Sequence, residues 1–325
     1  MGRYAAIRNM KVWQLFQKKI ISVTEKPGKE SEDAGRRKGE TFMKTGLILE
    51  GGAMRGIYTA GVLDVFMDHQ VHFDGVIGVS AGALHGCSFV SEQKGRSIRY
   101  YRNYRNDKHF MSFWNLLHTV EVVGRDFCYH EIPERLDPYD YEAFVKSDTD
   151  FYAVCTNLET GKAEYIKITD MLNQVDVMRA SASMPYVSHI VSWQGKKLLD
   201  GGCADSIPVH QFQKMGYEKN VIVLTREEGF IKKPETVKLA EIYYHRYPKF
   251  VDALKTRYEV YNKTIEEIHN MEAKGELFVI RPSEKLTIGR MESDLDEIQR
   301  VYEIGRKDAE KDIRRMKEWL KETSG

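Results

Sequence analysis

The sequence predicts an α/β fold with a mostly parallel central sheet, on the strength of three observations. Short β-branched or leucine-rich runs alternate with segments whose apolar residues recur at helical spacing. Two of these runs lead directly into glycine-containing turns, at 51–56 and 78–82, and each turn opens a helix-like segment. The chain has 325 residues and a hydrophobic fraction of 42%, which suffice for a substantial core. Strands and helices that alternate in this way favour parallel pairing, with helices on both faces of the sheet.

The predicted elements follow one another in order from Lys44 onward. A strand at 45–50 leads into a helix over 57–66, and a strand at 74–79 leads into a helix that opens at Ser80. Segment 91–146 is mostly helical or irregular. The pair Thr160-Gly161 is typical of a hairpin turn between two strand-like runs. The remaining predictions are a helix near 170–180 and strands at 150–157, 163–168, 196–199 and 220–225.

The C-terminal part has a different pattern, with long amphipathic helices. Apolar residues repeat at three and four over 251–271, a strand-like run follows at 277–280, and a second helix covers 295–320. Their charged faces favour a solvated packing appendage over a binding surface. We therefore divide the chain into an N-terminal extension (1–42), a catalytic domain (43–230) and a mainly helical C-terminal region (231–325).

The N-terminal extension is basic over 1–19 and polar over 25–41, where a disordered linker is expected. It has no continuous apolar core or cleavage site of a secretory signal. Three interpretations remain: an upstream start before Met43, a flexible tail, or a basic amphipathic helix that touches a membrane.

Composition narrows the class of protein. A net charge of +1 gives no electrostatic case for nucleic acid. The four cysteines lie far apart, which favours neither a zinc site nor a disulfide framework, and a cytoplasmic setting is expected. No apolar stretch approaches the ~20 residues of a membrane-spanning helix.

Ser80 stands in the pentapeptide Gly78-Val79-Ser80-Ala81-Gly82, between a strand-like run and a helix of small residues. The glycines Gly78 and Gly82 allow strand and helix to approach closely, and this lifts the serine Oγ clear of the sheet. The N-terminus of the following helix favours negative charge at that point. The pattern indicates a serine nucleophile; the alternative is a glycine-rich turn whose serine only caps the helix.

The earlier segment Gly51-Gly52-Ala53-Met54-Arg55-Gly56 offers backbone N–H groups of the kind that bind anions. A dinucleotide site would have a glycine at the third position and an acidic residue at the end of the second strand. Here the third position is Ala53, and Asp74 precedes the second strand. Because loops after neighbouring parallel strands share one sheet edge, an oxyanion hole beside Ser80 is favoured, with a nucleotide-phosphate site as the alternative.

A serine nucleophile requires a base, and the histidines are the first candidates. The chain has ten, but none carries a motif. His85 lies one turn after Ser80, and His189 and His210 flank the region of Asp200. Ordinary packing or surface roles are favoured for all three.

Asp200 is the better candidate for the base. It ends a short apolar strand, and the glycines Gly201 and Gly202 let a neighbouring backbone approach. A partly desolvated aspartate has a raised pKa and accepts a proton from a serine hydroxyl directly. The alternative is a turn aspartate in an Asp-Gly-Gly bend.

The motifs E-G-G-A-M-R-G, G-V-S-A-G and D-G-G, in this order, resemble those of the patatin-like phospholipase family of lipid acyl hydrolases. Segment 180–185 is similar to an A-S-x-x-x-P stretch of that family, and the resemblance covers about 43–225. It implies a three-layer fold, a dyad of Ser80 and Asp200, and no metal or cofactor. It also implies an oxyanion hole from the amides of Gly51, Gly52 and Ala53. At the position of Ala53 the family commonly carries glycine. Arg55 would hold that loop, and the other supporting residues would be Gly56, Gly78, Gly82, Gly201 and Gly202.

We therefore expect a serine acyl hydrolase that cleaves fatty-acyl esters of phospholipids or related lipids. Segment 91–146 follows the nucleophile helix and is the expected source of a lid or acyl groove. The expected partners are a lipid ester and, transiently, a membrane surface, with no nucleic acid. A non-catalytic lipid-binding or regulatory protein with the same fold is the alternative.

Overall fold

The computed structural model describes residues 43–119 and 121–322, so the predictions for residues 1–42 lie outside the described residues. In this part of the chain, one sheet of eight strands forms the centre of the fold. The strands are β1 (Lys44–Leu49), β2 (Gly75–Val79), β3 (Asp150–Asn157), β4 (Ala163–Ile168), β5 (Val191–Trp193), β6 (Lys196–Asp200), β7 (Tyr217–Val223) and β8 (Leu277–Ile280).

Helices surround the sheet and connect its strands. A 3₁₀ turn covers Ala53–Arg55, a π-helical segment covers Phe127–Leu136 and a second 3₁₀ turn covers Gly201–Cys203. The α-helices of the described residues are α1 (Gly56–Asp68), α2 (Ala81–Val90), α3 (Arg96–Tyr104), α4 (Phe113–Thr119), α5 (Tyr141–Lys146), α6 (Val175–Ser181), α7 (Val209–Lys214), α8 (Lys238–Tyr243), α9 (Pro248–Ala273) and α10 (Leu295–Lys321).

The strand order is β5-β6-β3-β2-β1-β7-β8, and β4 also pairs with β3. The pairs β1–β2, β1–β7, β2–β3 and β7–β8 are parallel. The pairs β3–β4, β3–β6 and β5–β6 are antiparallel. The predicted mostly parallel sheet is therefore confirmed, and the antiparallel strands gather at one side of it.

Alternating side chains of the central strands point into two separate cores. In β1, Leu47 and Leu49 join the core under α1, α2 and α10, whereas Ile48 joins the core under α7 and α9. This alternation is what a strand buried on both faces requires. The molecule thus has a helical layer on each side of the sheet, and the predicted α/β class with helices on both faces is confirmed.

Three short elements were not predicted, and the starts of others differ from the prediction. The strand β5 has three residues, and α7 and α8 have six each. Such elements are shorter than the window over which apolar periodicity identifies a helix or strand. The helix predicted near 170–180 begins at Val175, and the strand predicted from 220 begins at Tyr217.

The C-terminal residues belong to the same sheet and core as the residues before them. The strand β8 pairs with β7 in parallel, and α10 packs along α1. A side chain at Gly305 of α10 would clash with the carbonyl oxygen of Tyr58 in α1, so the two helix backbones are very close. None of the helices among the described residues combines the length and apolarity needed to cross a membrane.

Candidate active site

Ser80 lies at a sharp bend between β2 and α2. Its φ of 54° and ψ of −122° lie outside the usual regions for residues other than glycine. Such a conformation costs about 1–3 kcal/mol and persists only where the surroundings hold it. Here the backbone N–H of Ser80 donates to Ser181 Oγ at 3.0 Å, and Ser181 Oγ donates to the carbonyl of Val154 at 2.7 Å. The bend is therefore fixed from both β3 and α6.

The close approach of helix and sheet predicted at the pentapeptide is present. A side chain at Gly82 would clash with the carbonyl oxygen of Leu49 at the end of β1, and one at Gly78 would clash with the backbone of α2. Only glycine therefore allows α2 to lie this close to the two strand ends, with Ser80 between them.

Asp200 ends β6 and meets Ser80 directly. The Ser80 side chain lies close enough to the Asp200 carboxylate to favour its charged form, and the amide of Gly202 donates to Asp200 Oδ1 at 2.8 Å. The Asp200 amide donates to the carbonyl of Ser183 at 2.9 Å, which holds the strand end in place. Segment 180–185 thus supports both Ser80 and Asp200, through Ser181 and Ser183.

Burial sets the proton affinity of Asp200. It raises the pKa above the ordinary value of 3.8, because a buried carboxylate loses the hydration of its charge. The Ser80 hydroxyl and the charges of Arg257 and Lys232 act in the opposite direction without cancelling the rise. The structure thus gives the carboxylate a proton affinity higher than that of an exposed aspartate.

The histidines do not approach the serine hydroxyl. His85 is buried, its pKa is lowered to about 4 by burial, and its Nδ1 lies 3.5 Å from the Tyr100 hydroxyl. His189 Nε2 lies 2.8 Å from the carbonyl of Thr119, and His210 Nε2 lies 2.6 Å from Glu267. His189 and His210 are thus engaged away from Ser80, whereas the buried Nε2 of His85 has no hydrogen-bond partner among the described residues.

The loop of Gly51, Gly52 and Ala53 lies beside Ser80. A side chain at Gly51 would come within 3.1 Å of Ser80 Cβ. Among the described residues, the amides of the three loop residues donate no hydrogen bond, so they are available to a bound oxygen atom. Ala53 has φ of 49°, the left-handed conformation that glycine adopts with least strain. The alanine therefore takes up the backbone geometry of a glycine position.

Glu50 anchors the loop from the residue before it. This buried carboxylate accepts from the amide of Thr225 at 2.6 Å and from the Tyr261 hydroxyl at 2.9 Å. Tyr261 belongs to α9, and nothing in the sequence pattern distinguishes it from an ordinary residue of an amphipathic helix. The interpretation of the C-terminal helices as a packing appendage did not anticipate this contact with the site.

Arg55 follows the loop and is half-buried. Its amide donates to the carbonyl of Gly52 at 3.1 Å, which closes the 3₁₀ turn. Its Nε atom has no hydrogen-bond partner among the described residues. Burial and the nearby charge of Arg226 lower its pKa. The loop-holding contact seen here is thus made by the backbone of Arg55.

A largely apolar cavity of about 150 Å³ opens onto Ser80 and Ala53. Most of its wall comes from segment 91–146, including Tyr100, Tyr101, Phe110, Ile132 and Tyr139. Within the described ranges, no group of three or more histidine, cysteine, aspartate or glutamate side chains has a geometry that could hold a metal ion.

Comparison with known families identifies the family of the chain. Residues 47–212 match the family model described as patatin-like phospholipase, so the chain belongs to this family. Residues 247–321 match a second model, described as a domain of unknown function. Membership supports a lipid acyl hydrolase activity and lipid substrates at the level of the family.

Individual relatives are distant. The uncharacterized protein YjjU of Escherichia coli (strain K12) is 27% identical over 267 residues, which cover 80% of this chain and 74% of that protein. The lysophospholipase NTE1 of Meyerozyma guilliermondii is 28% identical over 182 residues, or 53% of this chain and 12% of that much longer protein. Among solved structures, VipD from Legionella pneumophila aligns with a TM-score of 0.40 and 11% identity, over 83% of this chain and 66% of that one.

Proposed function

We propose that this protein is a serine acyl hydrolase that cleaves fatty-acyl esters of phospholipids, with Ser80 as the nucleophile and Asp200 as the base. The observation that carries the proposal is the contact of the Ser80 side chain with the buried Asp200 carboxylate, at a strained strand-to-helix bend. A nucleophile within hydrogen-bond reach of a base is the arrangement that covalent catalysis requires.

In the proposed mechanism, Asp200 takes the proton of Ser80 as Oγ attacks the ester carbonyl carbon. Burial supports this role, because it raises the pKa of Asp200 and so increases the affinity of the carboxylate for that proton. The proton then passes to the leaving alcohol or lysolipid as the acyl–oxygen bond breaks. Asp200 then deprotonates a water molecule, which attacks the acyl carbon of the acyl-enzyme. The bond from that carbon to Ser80 Oγ breaks, the fatty acid is released, and Asp200 returns the proton to Ser80 Oγ.

The amides of Gly51, Gly52 and Ala53 would stabilise the tetrahedral oxyanion. Their position beside Ser80 and their lack of hydrogen-bond acceptors in the described part of the chain support this role. An oxyanion donor that is already oriented costs no reorganisation during the reaction, and each one typically contributes ~3–4 kcal/mol.

The apolar cavity is the proposed acyl-chain site. It reaches Ser80 directly, and its lining is dominated by aromatic and aliphatic side chains of segment 91–146. An acyl chain in the cavity would bury its methylene groups at about 0.8 kcal/mol each, which favours long-chain over short-chain esters.

A membrane surface is the proposed source of the substrate. Large apolar side chains are exposed on two helices, Trp114 and Leu117 on α4 and Leu239, Ile242 and Tyr243 on α8. The loop over 183–190 contacts both regions, since Val122 N donates to Val187 O and Tyr186 N donates to the Tyr244 hydroxyl, each at 2.9 Å. Met184 of the same loop lines the cavity, so this loop links the cavity to the regions that carry the exposed side chains.

Vesicle sedimentation tests this contact. The double variant Leu117→Ser, Ile242→Ser should lose binding to vesicles of phosphatidylethanolamine and phosphatidylglycerol, yet retain hydrolysis of a water-soluble ester. Val260→Ser removes an exposed apolar side chain on α9 and is the matched control. Unchanged sedimentation of the double variant would rule out these side chains as the membrane contact.

Labelling with a fluorophosphonate tests the catalytic proposal and separates it from the non-catalytic alternative. The wild type should be labelled at Ser80, and Ser80→Ala should not. Ser80→Ala and Asp200→Asn should each reduce phospholipid hydrolysis by a factor on the order of 10³ or more while leaving the circular dichroism spectrum unchanged. The control Ser192→Ala, at an exposed strand position, should be labelled like the wild type.

Two outcomes would contradict the proposal. A wild-type protein that is neither labelled nor active would favour the lipid-binding alternative. Full activity in Asp200→Asn, combined with a loss in His189→Ala or His210→Ala, would replace the dyad by a histidine-based triad.

A further inference from the structure

Four cationic side chains lie near one another on the side of α9, namely Arg55, Arg226, Lys232 and Arg257. The charges of Lys232 and Arg257 also act on Asp200. All four are half-buried. Within the described part of the chain, none of them forms an ion pair. Half-buried charges without counter-charges are uncommon, because burial removes hydration that an ion pair would replace.

Arg257 and Lys232 are positioned by a backbone carbonyl and by an aromatic ring. Arg257 Nε donates to the carbonyl of Gly202 at 2.5 Å, two residues from Asp200. Lys232 Nζ lies 4.2 Å from the ring centroid of Tyr261. The backbone of Lys232 is fixed by Asn262, whose side chain exchanges two hydrogen bonds with it at 2.8 and 2.9 Å.

Arg226, the third cation, lies over the ring of Phe230. The guanidinium of Arg226 lies 4.2 Å from the ring centroid of Phe230, and the rings of Phe230 and Tyr261 are 6.1 Å apart. The cations are therefore positioned by aromatic faces and backbone carbonyls, which leaves their outer N–H groups available to an anion.

The positive charges of this group lower one another's pKa values. Burial and the charges of Arg257 and Arg55 lower the pKa of Lys232 to about 8, and the charge of Arg226 contributes to the lowered pKa of Arg55. The nearby carboxylates include Asp200, on which the charges of Arg257 and Lys232 act, and Glu50, which accepts from Thr225 and Tyr261. A further one is Glu235, an exposed residue that lies 3.9 Å from Arg290. A bound anion would relieve the repulsion among the cations.

The group lies across the sheet from the apolar cavity. The cavity wall belongs to the layer with α1 and α2, whereas α9 lies in the opposite layer, and Ser80 and Asp200 are between them. A lipid with its acyl chain in the cavity and its ester at Ser80 would therefore direct its head group toward the cations.

We propose that Arg226, Lys232 and Arg257 form a subsite for the phosphate of a lipid head group, an inference that rests on the proposed acyl hydrolase function. Arg257 lies within the C-terminal residues that match a domain of unknown function. That region would therefore take part in substrate recognition, and it would make the enzyme prefer phosphate-bearing lipid esters to neutral ones.

A binding experiment tests this subsite separately from catalysis. The ligands are 1-oleoyl-lysophosphatidic acid and 1-oleoylglycerol, which share an acyl chain and differ in the phosphate. They are titrated below their aggregation concentrations into protein that carries Ser80→Ala. Arg257→Gln and Lys232→Met are each added to this background. Lys263→Met, an exposed lysine on the same helix, is the control.

The Ser80→Ala protein should bind the phosphate-bearing lipid at least about ten-fold more tightly, as expected for charge-assisted hydrogen bonds. Arg257→Gln and Lys232→Met should each reduce that preference by about ten-fold while leaving affinity for 1-oleoylglycerol within about two-fold. Lys263→Met should change neither affinity. Melting temperatures establish that each variant is folded. If Arg257→Gln does not fold, the test uses Lys232→Met alone.

Three outcomes would overturn the subsite. They are equal affinity for the two lipids, an equal loss for both lipids in the folded variants, and inorganic phosphate binding as tightly as the phospholipid. The last would indicate a free-anion site. A retained phosphate preference in a wild-type protein that hydrolyses neither lipid would refute the proposed function and leave the subsite supported.

Discussion

The strain at Ser80 makes a prediction that is independent of catalysis: Ser80→Gly should be more stable than Ser80→Ala. Both variants lose the hydroxyl and its interaction with Asp200, so this loss cancels in the comparison. They differ in the Cβ atom. At φ 54° and ψ −122° a residue with a Cβ atom is strained, whereas glycine adopts this conformation freely.

The expected difference is small but measurable. A non-glycine residue in such a conformation costs about 1–3 kcal/mol, and we take about 2.5 kcal/mol for a conformation this far from the allowed regions. Glycine loses about 0.7 kcal/mol of this gain to its greater freedom in the unfolded chain, and about 0.8 kcal/mol to the lost burial of one methyl group. About 1 kcal/mol should remain in favour of Ser80→Gly, or roughly 2 °C in melting temperature for a chain of this size.

Equilibrium unfolding in urea measures this difference, with thermal melting as a second assay. The control is the same pair of substitutions at Ser192, a strand residue whose φ is not positive. There Ser192→Gly should be less stable than Ser192→Ala by about 0.5–1 kcal/mol. If Ser80→Ala proved as stable as Ser80→Gly, or more stable, the bend would not be strained and the reasoning would be refuted.

Three further predictions concern pH, the oxyanion loop and the C-terminal packing. Asp200 is the proposed base, and burial raises its pKa above the ordinary aspartate value of 3.8, so the loss of kcat/KM on acidification should begin at a higher pH than that value would give. The folded protein also holds this proton more tightly than the unfolded chain, so wild-type stability should fall, relative to Asp200→Asn, as pH rises through the folded pKa; parallel melting temperatures with no such trend would contradict the shift. Ala53→Gly should stabilise the protein by about 0.5–1 kcal/mol and keep activity, since φ is 49° and the amide is retained; a destabilised or inactive variant would exclude this account. Gly305→Ala should cost about 1–3 kcal/mol in urea unfolding because its Cβ would clash with Tyr58, whereas Gly289→Ala, with an open environment, should stay within about 0.5 kcal/mol.

Local pattern was sufficient for most of the fold and for the two halves of the nucleophile region. The strands β3 and β4 have the predicted bounds, because a hairpin depends on alternation and on turn residues that lie between its strands. The bend at Ser80 and the loop at 51–53 were also located by sequence, since a strand, a tight turn and a helix are contiguous there. The predicted α/β class followed from the same alternation.

Other contacts of the site depend on tertiary structure. Ser181 was visible only as part of a family-like stretch, and its hydrogen bond to the Ser80 amide arises because α6 packs against the end of β3. Tyr261 lies 211 positions from Glu50, and Arg257 belongs to the same distant helix. In the sequence both look like ordinary residues of a charged amphipathic helix.

The sequence by itself located the bend at Ser80 and the loop at 51–53, because a strand-to-helix bend and a glycine-containing loop are each specified by a few adjacent residues. Only the tertiary structure decided what surrounds them: a cavity walled by residues of segment 91–146 on one side and the cations beside α9 on the other. The physical reason is that a side chain's partners across a sheet depend on strand order and helix packing. These are set by the burial of the whole core, and no local pattern records them.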